Sequence, residues 1–310
     1  MTRIGLIGGH PQPPGGRLLL CLLLLVATAC SSRPSGEGFA GNDGSAPDDS
    51  ATIQDSTRPS NGDGPVLSGD AGGFAAAPTG DAEVFGQSAD TLYKLDPMTK
   101  ALSVVGAFNG CGGVIDIALD KDSNMYATTY DGFYGVDRTT AVCTHIASGM
   151  SYPNSLSFVP AGTLDPNVEA LVGYQGDQYI RIDTKTGAIS NVGTSIGMGY
   201  SSSGDIVSVK GGGTYLTVKG TGCATDCLLQ VDPKTGSFVK NWGVTGHTDV
   251  FGLAFWAGAV YGFDASGNLF EIDFTGATLQ VTAIPIPNAP PTLSFYGAGS
   301  TTSAPPQANM

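Results

Sequence analysis

Short runs of alternating apolar and polar residues, each closed by an aspartate, recur along the chain. They are Leu92-Tyr-Lys-Leu-Asp96, Phe133-Tyr-Gly-Val-Asp137, Tyr179-Ile-Arg-Ile-Asp183, Leu228-Leu-Gln-Val-Asp232 and Leu269-Phe-Glu-Ile-Asp273, at spacings of 41, 46, 49 and 41 residues. Alternation with period two predicts a half-buried strand. The polar turn after each aspartate, as in DPMTKA, DTKTGA and DPKTGS, predicts a hairpin. There the carboxylate accepts from backbone N–H groups two residues on, and Gly takes positive φ.

Two further marks repeat independently of the aspartates. Small residues flanked by apolar ones recur at Ile117-Ala-Leu119, Leu156-Ser-Phe158, Val207-Ser-Val209, Leu253-Ala-Phe255 and Gly297-Ala-Gly299, as strands crowded about a common axis require. A third strand lies between the two marks, as in Asn124–Ala127 and Thr214–Thr217. Four short strands in about 45 residues is the size of one propeller blade. The first unit lacks an inner strand, and the last stretch, from Leu293, is an inner strand with nothing after it. Placing that strand in the first unit predicts an all-β, five-bladed β-propeller closed by its C-terminal strand, which leaves no open edge.

Strand-Asp-Pro-x-Thr-Gly-strand units at this period resemble the bacterial NHL, YVTN and lactonase-like β-propellers over residues 81–303. The resemblance implies the fold. Those families include binding modules and surface proteins as well as lyases and lactonases, whose catalytic members carry metal-binding carboxylates and His around the channel. No such set is matched in this sequence, and fold alone does not assign function.

The other residues change the picture at the two ends. Arg3 and Arg17, the apolar run Leu18–Val26 and then Ala27-Thr-Ala-Cys30 have the order of a secretory signal, and the run is too short to span a bilayer. The junction resembles a bacterial lipobox, with Ala27 where Leu is usual, so residues 1–29 are expected to be removed and Cys30 lipidated. Residues 30–80 are rich in Gly, Ser, Pro and Asp and show no apolar period, which predicts a disordered linker. A short disordered tail, 304–310, is expected after the propeller. This places the protein in the cell envelope, anchored by its lipid to the outer membrane of a Gram-negative bacterium, and a monomer is expected.

Composition narrows the chemistry. The formal charge of −13, with 14 Lys plus Arg against 27 Asp plus Glu, excludes nucleic acid as an expected partner, because phosphate binding needs clustered cations. His145 and His247 are the only histidines after the leader, too few for a His-based zinc site. Asp120-Lys-Asp122-Ser-Asn124 has the alternating acids that open a calcium loop but no closing Glu, and reads as a hairpin. No metal or cofactor is expected. Cys111, Cys143, Cys223 and Cys227 are an even set for an oxidising compartment, and the pairs Cys111–Cys143 and Cys223–Cys227 are favoured among three connectivities.

Function is then divided between a non-enzymatic ligand- or protein-binding module, the favoured reading, and an exported lyase- or lactonase-type enzyme. Asp116 is the one acid read in the middle of an inner strand. The loops joining one blade to the next carry Asn109, Tyr152, Asn154, Tyr200, His247 and Asp249. Such rings and polar partners suit a glycan, peptide or protein as ligand.

Overall fold

The computed structural model describes residues 83–149, 151–274 and 278–307. The expected signal, the expected lipidation of Cys30 and the expected linker fall outside the described residues. Among the described residues the chain forms twenty strands in five antiparallel four-stranded sheets. Strands β1 (Val84–Gln87), β2 (Thr91–Asp96) and β3 (Ala101–Ala107) begin the first blade. The second comprises β4 (Asp116–Leu119), β5 (Met125–Thr128), β6 (Gly132–Val136) and β7 (Cys143–Ser148), and the third β8 (Leu156–Val159), β9 (Ala170–Gln175), β10 (Gln178–Ile182) and β11 (Ile189–Ser195). The fourth comprises β12 (Ser201–Ser208), β13 (Thr214–Lys219), β14 (Cys227–Val231) and β15 (Phe238–Val244). The fifth comprises β16 (Val250–Trp256), β17 (Ala259–Asp264), β18 (Leu269–Asp273) and β19 (Gln280–Ile284), and β20 (Gly297–Ser300) pairs with β1 as the inner strand of the first blade. The five-bladed propeller closed by the C-terminal strand is thus the observed fold.

Inner strands approach one another so closely that only glycine fits at some positions. A Cβ added at Gly252 would lie 2.6 Å from the carbonyl carbon of Gly297, and one at Gly204 would lie 2.8 Å from Cα of Phe251. The end of the chain reaches every blade. Val84 pairs with Ser300, Leu119 bridges Thr301, Thr302 bonds Glu169, the Lys210 amide donates to the Thr302 carbonyl, and the Phe255 amide donates to Ser300 Oγ. Ala304 is buried in the same core as Leu253 and Phe263.

Blades are locked by rings on the second and third strands that meet the third-to-fourth-strand turn of the next blade. Tyr174 Oη donates to Gly236 O at 2.6 Å, Tyr179 Oη to Pro233 O at 2.9 Å, and Tyr215 stacks on Phe274 at 4.7 Å. Lys100 Nζ lies 2.7 Å from Tyr261 Oη and 2.8 Å from Glu271. The turns themselves are set by the repeating aspartates. Asp96, Asp137, Asp183 and Asp232 each accept two amide hydrogens through Oδ1, the shortest being Lys234 N to Asp232 at 2.7 Å. Disulfides join Cys111 to Cys143 and Cys223 to Cys227.

Candidate functional site

The axis holds two acids, not one. Asp205 on β12 was missed by the sequence reading, which named Asp116 alone in the middle of the inner strands. Its register to β13 shifts between Ser202 and Ile206, so the eight-residue strand hides the equivalence. The available signal was the dipeptide Asp-Ile, at Asp116-Ile117 two residues ahead of Ala118 and at Asp205-Ile206 three ahead of Ser208.

The chemistry of this pair follows from the unpaired inner edge of each sheet. An innermost strand leaves some backbone N–H groups facing the axis, and in a buried place each needs an acceptor. Asp205 Oδ1 accepts from Ile206 N at 2.7 Å and Leu156 N at 3.2 Å, and its Oδ2 accepts from Leu253 N at 2.6 Å. One carboxyl therefore serves three blades. Asp116 Oδ1 accepts from Ile117 N at 2.8 Å. Both side chains are wholly buried. Burial raises both well above the usual carboxylate range; in Asp116 the neighbouring Asp205 charge adds to the rise, whereas in Asp205 the amide bonds oppose it. Asp116 Oδ2 has no hydrogen-bond partner among the described residues. Beside them Gln87 Nε2 donates to Val114 O at 3.4 Å. Ser157 Oγ and Thr217 Oγ1 extend the same device, accepting from Ser208 N and donating to Val250 O. The axial acids act as acceptors for backbone, in a closed interior. Among the described residues no group of three or more His, Cys, Asp or Glu is placed to hold a metal ion.

The six loop residues proposed for ligand contact are dispersed. Asn109 forms an isolated bridge with Val142, and its carbonyl accepts from Cys143 N at 2.7 Å, which puts it beside the disulfide at the junction of the first two blades. Tyr152 is buried, and its Oη donates to Gly187 O at 3.0 Å as a strut to the third blade. Tyr200 stacks on Phe238 at 5.9 Å and accepts from Asn241 Nδ2 at 3.0 Å. His247 lies flat on Phe270 at 3.8 Å, with Nδ1 2.8 Å from Asp264 Oδ2. Asp249 pairs with Lys219 at 2.6 Å, and Asn154 is half-buried. The paired strands supply partners that no single loop reveals.

The same face nevertheless presents apolar groups that the sequence reading passed over. Tyr130, between β5 and β6, is 74% exposed, and Met198, between β11 and β12, is 72% exposed. Tyr296, just before β20, is 37% exposed and stacks with Phe251 at 6.3 Å. Connectivity puts these loops together, because second-to-third-strand turns and blade-to-blade connections share one end of a propeller. A cleft of about 270 Å³ opens there, lined by Ser88, Asp90, Tyr93, Thr292 and Tyr296. Hydrogen bonds from Ser88 and Thr91 hold the exposed Asp90 carboxyl below the usual range.

A family model described as a repeat of unknown function (DUF6923) matches residues 154–304. No curated protein matches the chain. Among solved structures, a gluconolactonase from Xanthomonas campestris is similar at 14% identity, covering 73% of this chain and 79% of that one with a TM-score of 0.44. Nidogen in its complex with laminin is similar at 12% identity, covering 71% and 98% with a TM-score of 0.42. A structure from work on the de novo evolutionary emergence of a symmetrical protein is similar at 14% identity, covering 72% and 99% with a TM-score of 0.48. At these identities the likeness is one of fold alone. The five sheets described above carry the fold assignment.

Proposed function

We propose that the chain is an exported, lipid-anchored surface protein whose propeller is a non-enzymatic module that binds a peptide or protein partner. The observation that carries this reading is the exposed set Tyr130, Met198 and Tyr296 on one loop face. Rings and a thioether held out from a rigid scaffold supply contact area at low entropic cost and favour partner binding. The acids nearest the axis favour the same reading, since Asp116 and Asp205 are occupied by backbone amides. The Ala27-Thr-Ala-Cys30 junction supports a lipid on Cys30, and the Gly-, Ser- and Pro-rich stretch after it supports a tether that reaches about 40 Å from an outer membrane.

A photo-crosslinking residue placed at Tyr130 tests the binding face in the intact cell envelope, with one at Val168 as control. Val168 is 54% exposed and lies between β8 and β9, at the opposite end of the blades. A discrete product from position 130 and none from 168 is expected. Equal products from both positions, or none from 130, would overturn the reading. Mass spectrometry of the mature protein checks the anchor: an N-terminus that is unmodified at Cys30 removes it.

A further inference from the structure

The five blades share one cross-strand row facing the next blade, and one of them breaks its pattern. Through the registers, the row on the second, third and fourth strands reads Phe85-Lys94-Ser103, Tyr126-Gly135-Thr144, Val172-Arg181-Ser190, Tyr215-Gln230-Lys240 and Tyr261-Glu271-Thr282. Four blades place a long polar side chain in the middle of this row. Two of those side chains lie on the ring beside them: Lys94 Nζ sits 5.8 Å from the Phe85 ring centre, and Glu271 lies 3.5 Å from Tyr261 Oη. The second blade has Gly135.

Backbone geometry does not demand that glycine. Gly135 takes no positive φ, and an added Cβ would meet only Ile146 Cδ1, at 4.0 Å. A glycine inside a strand gives up packing and order, and one kept without a conformational need marks a place where another molecule comes close. Gly135 lines an open groove of about 800 Å³ between the second and third blades, against about 330 Å³ for the cleft beside Arg181. That is within the ~300–1,000 Å³ of ligand sites.

From this geometry we infer that the groove over Tyr126 binds a neutral oligosaccharide of two or three sugars. Tyr126 offers ring surface for the apolar face of a sugar, backed by Phe133 at 5.7 Å. Around it Thr144 and Thr184 carry hydroxyls, partners for sugar hydroxyls. Thr139 Oγ1 donates to Asp137 at 2.6 Å and Asn124 Nδ2 to Asp120 at 2.8 Å, and both side chains keep an oxygen that can accept from a sugar. The one cation of the wall, Arg138, is committed to Glu83 at 2.8 Å, and the chain carries −13 overall, so an acidic sugar gains little. The site lies apart from the loop face and does not rest on the partner-binding reading.

Titration calorimetry of the propeller-bearing full chain with cellotriose, maltotriose and chitotriose tests this. Binding of at least one with a Kd below about 10 mM is expected. Gly135→Gln, which restores the side chain found in the fourth blade, should weaken it by about tenfold or more. Should Gly135→Gln fail to fold, Tyr126→Leu must show the same loss. Tyr130→Ser, on the loop face, should leave sugar binding unchanged. Failure of all three sugars to bind, or unchanged affinity in folded Gly135→Gln, overturns the inference.

Discussion

Aspartate does opposite work at the rim and at the axis. At the rim, Asp96, Asp137 and Asp183 stand in water, and the side-chain hydroxyls and backbone amides of their own turns hold them below the usual carboxylate range. At the axis, Asp116 and Asp205 are sealed, and burial pushes both upward. In both places the carboxyl accepts amide hydrogens. The rim acids bond within one turn and fix a hairpin, whereas Asp205 bonds amides from the third, fourth and fifth blades and fixes the ring. A short, local bond is replaceable; an acceptor shared by three buried donors is not.

That contrast is broken most directly by Asp205→Ala. Leu156, Ile206 and Leu253 would each lose a buried acceptor, and unfolding in urea should show a loss of about 3 kcal/mol or more. A loss below about 1 kcal/mol would mean that the ring does not depend on this carboxyl.

Asp116→Asn sharpens it through pH. An acid whose folded value is raised binds its proton more tightly in the fold, so its contribution is complete below the usual 3.8 and fades as pH climbs through the raised value. The variant has no proton to lose there. Its melting temperature should therefore gain on the parent as pH rises from 4 toward 8, and a constant gap would refute the raised value of Asp116. The rim acids have the reverse sign, since their contribution is present above 3.8 and is lost as pH falls.

The smallest effect is expected at a rim turn. Asp232→Ala removes the acceptor for the Lys234 and Thr235 amides, which water can reach, and should lower the melting temperature by only about 2 °C. A drop as large as that of Asp205→Ala would erase the distinction.

Four of the repeating aspartates, Asp96, Asp137, Asp183 and Asp232, were legible in the sequence because each acts on residues two and three places away. The incomplete first unit and the lone last strand were legible too, and pairing of Phe85 with Gly299 joins them as that reading requires. What the sequence hid is what depends on register and on neighbouring blades. Asp205 lies beyond a shift in β12, and Gly135, which stands two residues before its aspartate as Lys94, Arg181, Gln230 and Glu271 do before theirs, gains its groove only from Thr184 on the next blade. Tyr152 and His247 look free in a loop, yet Gly187 and Asp264 on other segments already hold them.

The last few residues of the ring also set the order of events in its manufacture. Ser300, Thr301 and Thr302 touch all five blades, so none of those contacts exists until that stretch has been made. Until then β1 shows a bare edge, open to proteases and to other unfinished chains. A chain cut before Gly297 would lose the ring's common fastening and its first blade's inner strand together.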